Sequence, residues 1–373
     1  MTPIPLLDLR AQYQSLREEI LTTVERVLDD MTLFLGPEQA AFEREFASFC
    51  GVQHGVGVSN GTDALTLALR ACGIRPGDEV ITVSNTFIAT VEAITLVGAR
   101  AVFVDVDPET YTLDCSQLEQ ALTSHTRAII PVHLFGHAAD MDRINFFARQ
   151  HNLRVIEDAS QAQGATYKGK RVGSLSDIGC FSLYYSKNLG AYGEAGICVT
   201  DNSEYAAAMR TFRDHGSRSR YLHEIIGTNA RMDEIQAAIL RVKLPHLDGW
   251  NERRRQHAAV YTEALRDVVT ATPSAQDWAG HVFYTYVVRV ADRDQVRRDL
   301  EASGVLTGVH YPVPCHLQPA CASLGYARGS LPVTEAYADQ IVSLPLYPEM
   351  TSEQTDTVIG AVKHACAATA LRR

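Results

Sequence analysis

The sequence predicts an α/β protein, with a large domain over residues 1–245 built on a mainly parallel sheet and a smaller α/β domain over residues 246–373. Three observations carry this. Strand-like and helix-like patterns alternate along the first part of the chain, as they do where helices cover a parallel sheet. The run Val155-Ile-Glu-Asp-Ala-Ser-Gln-Ala162 is β-branched and ends abruptly in acids, as a buried parallel strand does when it reaches a ligand-bearing sheet edge. After a long helical stretch the pattern restarts at Tyr284-Thr-Tyr-Val-Val-Arg-Val290 with strict alternation, which marks a new sheet.

Seven strands are expected in order: His54 to Val58, Glu79 to Val83, Ala101 to Asp105, Ala128 to His133, Arg154 to Glu157, Ile178 to Leu183 and Gly196 to Thr200. Helical periodicity falls at Thr62 to Cys72, Thr86 to Leu96, Met141 to His151 and Glu204 to Asp214, and Pro76-Gly77, Gly98 and Gly173 punctuate the turns. From Met232 to about Arg266 the pattern is helical with a kink at Pro245, whose ring cannot continue a regular helix. A last helix over Arg293 to Ser303 has Asp292 placed to cap it. Internal repeats and low-complexity linkers are absent, so the two domains are expected to pack closely.

Three of these segments carry chemistry. In Cys180-Phe-Ser-Leu-Tyr-Tyr-Ser-Lys-Asn-Leu-Gly-Ala-Tyr-Gly-Glu-Ala-Gly196 a single lysine, Lys187, follows an apolar strand and precedes Gly190, Gly193 and Gly196, which let backbone bend close to a ligand. A lysine so seated suits a Schiff base, and Ser182 lies within reach of an anion. Asp158 emerges at the carboxyl end of its strand. In Val56-Gly-Val-Ser-Asn-Gly-Thr-Asp-Ala-Leu-Thr-Leu-Ala-Leu-Arg70 a strand, a Ser-Asn-Gly-Thr turn and a helix start offer free amides to a phosphate. Amine, carboxylate and phosphate cradle are the parts pyridoxal phosphate requires: an amine for its aldehyde, amides and hydroxyls for its phosphate, and an acid that keeps its ring nitrogen protonated. Taken singly each has a plainer reading, as a surface lysine, a helix-capping acid and an ordinary turn. Their joint occurrence favours the cofactor.

The chain resembles the DegT/StrS family of fold type I sugar aminotransferases. The resemblance runs through Leu7-Asp-Leu9, Gly36-Pro-Glu38, Ser59-Asn-Gly-Thr62, Asn85-Thr-Phe87, Pro131-Val-His-Leu-Phe-Gly136, Ala139-Asp-Met141, Glu157-Asp158 and Lys187. It continues through Gly227-Thr-Asn-Ala-Arg-Met-Asp-Glu-Ile-Gln-Ala-Ala238, His310-Tyr-Pro-Val-Pro314 and Leu344-Pro-Leu-Tyr-Pro348. It implies Lys187 as the cofactor-bonding lysine and proton shuttle, Asp158 as partner of the ring nitrogen, Gln161 near the ring hydroxyl and Phe87 on the ring face. Gly61, Thr62 and Ser182 would hold the phosphate, with Asn229 reaching in from the other subunit of a homodimer. Tyr185 and Ser186 depart from the Pro and Gly or Thr that often precede the lysine, and Gln163 stands where many members have His. Relatives that dehydrate sugars carry His in place of the lysine, so Lys187 argues for amino transfer.

The implied reaction moves an amino group from glutamate or glutamine to the keto carbon of a nucleotide-linked sugar. The stretches Lys187 to Gly193, Leu240-Arg-Val-Lys-Leu244 and His310 to Pro319 resemble the 3-aminating subgroup, which implies a thymidine-diphosphate-linked 3-keto-6-deoxyhexose. Tyr192, His310, Tyr311 and His316 are the residues expected to line the sugar pocket. Alternatives are a uridine-diphosphate-linked 3-keto uronic acid, a cyclitol ketone, or a pyridoxal-phosphate-binding regulatory protein without turnover.

Composition agrees with this reading. The 373 residues are 46% apolar and 21% charged, with a formal charge of −10. That acidity argues against nucleic acid as the main partner; Arg253-Arg-Arg255, the most obvious basic cluster, reads as a solvated helix face or a diphosphate contact. The 8 cysteines lack metal or disulfide spacing and read as small buried hydrophobes in a reducing compartment. With no signal-like start and no apolar run near the roughly 18 residues of a membrane span, a cytoplasmic protein is expected, with no metal site. The glycines of Gly55-Val-Gly-Val-Ser-Asn-Gly61 miss the dinucleotide spacing, and P-loop and Tyr-x-x-x-Lys patterns are absent.

Overall fold

The computed structural model describes residues 3–219 and 221–371. Two helices lead the chain, and the sequence patterns above did not anticipate either. Helix α1 (Leu9–Asp30) is capped by the Asp8 carboxylate, which accepts from the amides of Arg10 and Ala11, and it stops at Met31 in left-handed backbone. Helix α2 (Pro37–Cys50) begins with proline in its first turn and ends at Gly51, φ 81°. Its free amides are met from far along the chain, because the buried Glu234 carboxylate accepts from Gly36, Glu38 and Gln39.

All seven expected strands form, in one sheet: β1 (His54–Val58), β2 (Glu79–Val83), β3 (Arg100–Val104), β4 (Thr126–Ile129), β5 (Arg154–Asp158), β6 (Ile178–Ser182) and β7 (Gly196–Thr200), ordered β1-β7-β6-β5-β4-β2-β3. The pairs β6/β5, β5/β4, β4/β2 and β2/β3 are parallel, whereas β7 runs antiparallel to both its neighbours. That reversal has a simple cause. Residues 183–195 join β6 to β7 and contain no helix to cross the sheet; they fold as the loop that carries Lys187 and return the chain beside β6, so the two strands pair antiparallel.

The interleaved helices are α3 (Gly61–Ala71), α4 (Ala89–Leu96), α5 (Met141–Gln150) and α6 (Ser203–Arg213). Side chains alternate across the sheet into two cores. Ile81, Phe181 and Ile197 meet Phe42, Phe46 and Leu240 on one face, while Val80, Cys180 and Cys198 meet Leu65, Leu67 and Ile94 on the other. Burial on both faces is why these strands read as continuous apolar runs. The expected strand to His133 stops at Ile129, and the expected helix from Thr86 starts three residues later, at Ala89; both boundaries lie at the edge where the cavity opens.

The long helical stretch divides into α7 (Glu234–Lys243) and α8 (Leu247–Leu265), with Pro245 in the single turn of 3₁₀-helix between them. Beyond it, β8 (Tyr286–Arg289) pairs antiparallel with β9 (Ile341–Leu344), packed by α9 (Arg293–Ala302) and α11 (Ser352–Leu371), with α10 (Pro332–Ala338) before β9. Asp292 caps α9 by accepting from Gln295. Tyr261, Leu265, Tyr286, Val288, Leu344 and Val358 form a third core, to which the amino terminus contributes Ile4, bridged to Val305. Residues between these strands return to the main sheet: Cys315, Cys321 and Leu331 join the second core.

The eight cysteines are free thiols, five of them buried, as expected of small core residues. No described helix is long and apolar enough to cross a membrane.

Candidate active site

At the carboxyl ends of the parallel strands lies a cavity of about 820 Å³. It is lined by Gly61, Thr62, Phe87, Asp158, Gln161, Ser182, Lys187, His310 and Tyr311 among the residues expected from sequence.

Two consecutive acids end β5, and the two-residue period sends them to opposite faces. Glu157 points into the body of the protein, where His133, Gly173, Leu175 and Ser176 satisfy it. Asp158 points into the cavity, where it is only 4% exposed. It accepts from Thr90 Oγ1 at 2.8 Å and from the Ser160 amide at 3.1 Å, and Thr86 Oγ1 lies 2.9 Å behind Thr90. Among the described residues it has no cationic partner, so a buried carboxylate stands ready for a cation from a ligand.

The opposite end is built for an anion. Asn60 caps α3 by accepting from Asp63 at 2.8 Å, which leaves the Gly61 and Thr62 amides at the helix start free of that cap. Glycine is required at two points here: a Cβ on Gly61 would lie 2.7 Å from Ser182 Cβ, and one on Gly196 would lie 2.2 Å from the Asn60 carbonyl oxygen. This close approach of β6, β7 and α3 puts Ser182 beside the helix start.

Lys187 sits on the β6–β7 loop, which is held at several points. Its amide donates to the Tyr184 carbonyl, Ala191 donates to Leu183, and Asn188 bonds the Asn251 side chain and the Val282 carbonyl. From behind, the buried Lys243 ammonium donates to the Gly190 carbonyl, and Gln236 accepts from the Tyr192 amide. Burial pushes Lys243 down to about 7. The Lys187 Nζ lies 4.4 Å from the centre of the Tyr284 ring.

Gln161 accepts from the Phe135 amide at 2.9 Å and donates to the Tyr311 phenol at 3.0 Å, so its side-chain orientation is set from both ends. Burial raises the Tyr311 phenol, and burial with the nearby Lys187 charge depresses His310 to about 4; His310 bonds Ser343. Phe87 is 54% exposed at the cavity mouth, 5.8 Å from the Tyr311 ring.

Two residues expected in this chain's sugar pocket lie elsewhere, and Asn229, expected to serve another subunit, lies outside this cavity. His316 is 1% exposed, and both its ring nitrogens are engaged, with Ser84 at 2.7 Å and Glu335 at 3.0 Å, which removes it from any substrate. Tyr192 packs on Tyr13 and Lys243 behind the loop instead of facing the cavity. Asn229 is outside this chain's own cavity and accepts from Arg231. The basic cluster also divides: Arg254 is buried and donates to the carbonyls of Phe283, Tyr284 and Leu346, whereas Arg253 and Arg255 are not buried.

Sequence reasoning missed Thr86, Thr90, Tyr184, Glu194 and Tyr284, all of which line the cavity. Thr86 and Thr90 carried a signal, since two hydroxyls four residues apart before a strand-end acid's helix neighbour can form a chain. Tyr284 carried none, because it opens an alternating strand and its cavity neighbour is about a hundred residues away.

A buried carboxylate without a cation, free helix-start amides beside a hydroxyl and an amine, gathered on one cavity of this sheet, define a fold type I aminotransferase and fit pyridoxal phosphate. The model of the DegT/DnrJ/EryC1/StrS aminotransferase family matches residues 14–363, and the chain belongs to that family. It is a pyridoxal-phosphate-dependent sugar aminotransferase. A dTDP-3-amino-3,4,6-trideoxy-alpha-D-glucose transaminase of Streptomyces venezuelae is 46% identical over 361 residues, 96% of this chain and 95% of the relative. A protein of Geobacillus stearothermophilus described as a pleiotropic regulatory protein is 46% identical over 359 residues, 95% of this chain and 96% of the relative. Among solved structures, S. venezuelae DesV in complex with a ketimine intermediate superposes with a TM-score of 0.96 at 46% identity, covering 98% of this chain and 99% of that one. Bacillus subtilis NtdA with bound PMP gives a TM-score of 0.91 at 32% identity, covering 98% of this chain and 86% of that one.

Proposed function

We propose that this enzyme transfers an amino group from glutamate or glutamine to C3 of a nucleotide-linked 3-keto-6-deoxyhexose, thymidine diphosphate being the preferred carrier, and that it works as a cytoplasmic homodimer. The observation that carries the reading is the meeting of Lys187, Asp158 and the α3 amides on one cavity. The substrate rests on the transaminase of S. venezuelae named above, with a UDP-N-acetyl-3-dehydro-alpha-D-glucosamine 3-aminotransferase of Acidithiobacillus ferrooxidans, 46% identical over 97% of this chain and 98% of the relative, supporting amination at C3 on a different carrier.

In this reading the Gly61 and Thr62 amides and Ser182 bind the cofactor phosphate. Asp158, held by Thr90 and Ser160, would pair with the ring nitrogen, Gln161 would contact the ring hydroxyl and Phe87 would pack on the ring. The bound cofactor supplies a ring that accepts electron density from the substrate carbon. Lys187 moves a proton to and from that carbon, and the tethered β6–β7 loop keeps its amine within reach. Charge supports a shared site: among the described residues the lining contains Asp63, Asp158 and Glu194 but only Lys187 as a cation, which is too few for a diphosphate and a donor carboxylate. In this reading Asn229, with the neighbouring Arg231, would serve another subunit's cavity.

The test is to charge the enzyme with donor amino acid, offer 3-keto and 4-keto hexoses on thymidine and uridine diphosphate, a 3-keto uronic acid and a cyclitol ketone, and locate the new amine by NMR. Amination at C3 of the thymidine-linked hexose is expected. Amination at C4, or turnover only of the uronic acid or cyclitol, overturns the substrate. The name of the Geobacillus relative favours a second reading, a regulatory protein without turnover; cofactor binding with no reaction on any ketone would establish it. Lys187→Ala is expected to keep binding pyridoxal phosphate by equilibrium dialysis while turnover falls at least about a thousandfold.

A further inference from the structure

We propose that Tyr284 is a positioning residue of this enzyme, its phenol being the partner that holds the Lys187 amine in place in both of that amine's protonation states. The inference rests on the reading of Lys187 as the proton-moving lysine.

The geometry is specific. The Lys187 Nζ lies 4.4 Å from the Tyr284 ring centre, over the ring that carries the phenol, and Ser186 Oγ approaches that phenol at 3.4 Å. Tyr284 opens into the cavity just before β8 begins, and its backbone is pinned on both sides. Its amide donates to the Phe135 carbonyl at 2.9 Å, and the buried Arg254 guanidinium donates to the carbonyls of Phe283, Tyr284 and Leu346. Phe135 in turn donates its amide to Gln161, so one short segment sets both the expected ring-hydroxyl contact and the lysine's partner.

A hydroxyl both donates and accepts. Opposite an ammonium the phenolic oxygen accepts from Nζ–H; opposite the neutral amine the O–H turns and donates to the nitrogen lone pair. The proton that Lys187 gives up passes to the substrate carbon and returns from it, and the phenol gains and loses none. The lysine would otherwise lose its anchor each time its charge changed, and a long flexible side chain would scatter over its rotamers. The electrostatics agree: burial alone would raise the Tyr284 phenol, but the nearby Lys187 charge, helped by the Ser186 hydroxyl, outweighs it and holds the phenol below its ordinary range.

Two measurements test this. Tyr284→Phe keeps the ring over Lys187 and removes only the oxygen; kcat is expected to fall by about tenfold to a hundredfold, with KM for the sugar within about twofold. In the cofactor-free protein labelled with ¹³Cζ-tyrosine, the Tyr284 signal, assigned by its loss in Tyr284→Phe, is expected to titrate at higher pH in Lys187→Met than in the parent, because burial is then unopposed. Wild-type kcat in Tyr284→Phe, or a Tyr284 titration unmoved by Lys187→Met, overturns the proposal. If Lys187→Ala retains turnover, the reading of Lys187 fails first and takes this inference with it; if Lys187→Ala is inactive and Tyr284→Phe is not impaired, this inference alone fails.

Discussion

Single atoms decide the cofactor end of the cavity. Gly61 was recognisable as the glycine of a Ser-Asn-Gly-Thr turn, but the reason it must be glycine is the side chain of Ser182, 121 positions on, which a Cβ would meet at 2.7 Å. Gly61→Ala is therefore expected to push α3 and β6 apart, weakening pyridoxal phosphate about tenfold or more by equilibrium dialysis and lowering stability by about 1–3 kcal/mol in urea unfolding. Asp158 and Glu157 make the same point. As neighbours in sequence they are equivalent acids, and only strand direction gives one to the cavity and the other to the His133, Gly173 and Ser176 network.

At the scale of elements, the excursion between β8 and β9 is fastened to the sheet by a buried hydrogen-bonded chain. Ser84, just past β2, bonds His316, and His316 bonds Glu335, which also accepts from the Gly329 and Leu331 amides. This chain ties residues 316–335 to the turn that leads into Phe87, and Cys315 reinforces it by donating to the Thr86 carbonyl. His316→Ala would leave a buried hydroxyl and carboxylate short of a partner, at a cost of about 2–4 kcal/mol. Faster amide exchange confined to residues 84–88 and 315–335, with the Lys187 loop unchanged, is the expected signature. The histidine looked like a pocket residue because a proline-rich segment near His310 was expected to enter the cleft as a whole. His310 and Tyr311 do enter, and the chain then turns inward.

For the whole molecule, acid stability follows from buried histidines outside the cavity. Burial holds His137 down from 6.5 to about 4, against a hydrogen bond to the Ala138 carbonyl, and His281, 5.4 Å away, is likewise held well down by burial and by His137. Between those values the unfolded chain binds protons that the folded one refuses, so stability is lost as pH falls from about 6.5 towards 4. A falling Tm over that interval, with a shallower slope in His137→Gln, is expected by calorimetry. Assembly is tested at the same scale: sedimentation velocity should give a dimer, and Asn229→Ala should raise the apparent Kd for pyridoxal phosphate while leaving that dimer intact. A fully active monomer at high dilution would contradict the shared site.

The strands, the alternation of strand and helix, and the positions of Lys187, Asp158 and Gly61 were legible in the sequence, because each depends on a local period or on a turn whose chemistry is written in adjacent residues. Helix α2 was missed because its start is fixed by Glu234, nearly two hundred residues away, whereas α1 is capped locally by Asp8. The direction of β7 was hidden too, since residues 183–195 are long enough for either sense and only their folding as a returning loop makes it antiparallel. Lys187, Tyr284 and Arg254 form one unit only after the β8 segment folds back over the β6–β7 loop. No spacing in the chain encodes that contact; it is decided by how the third core docks on the sheet, which is a property of packing and not of pattern.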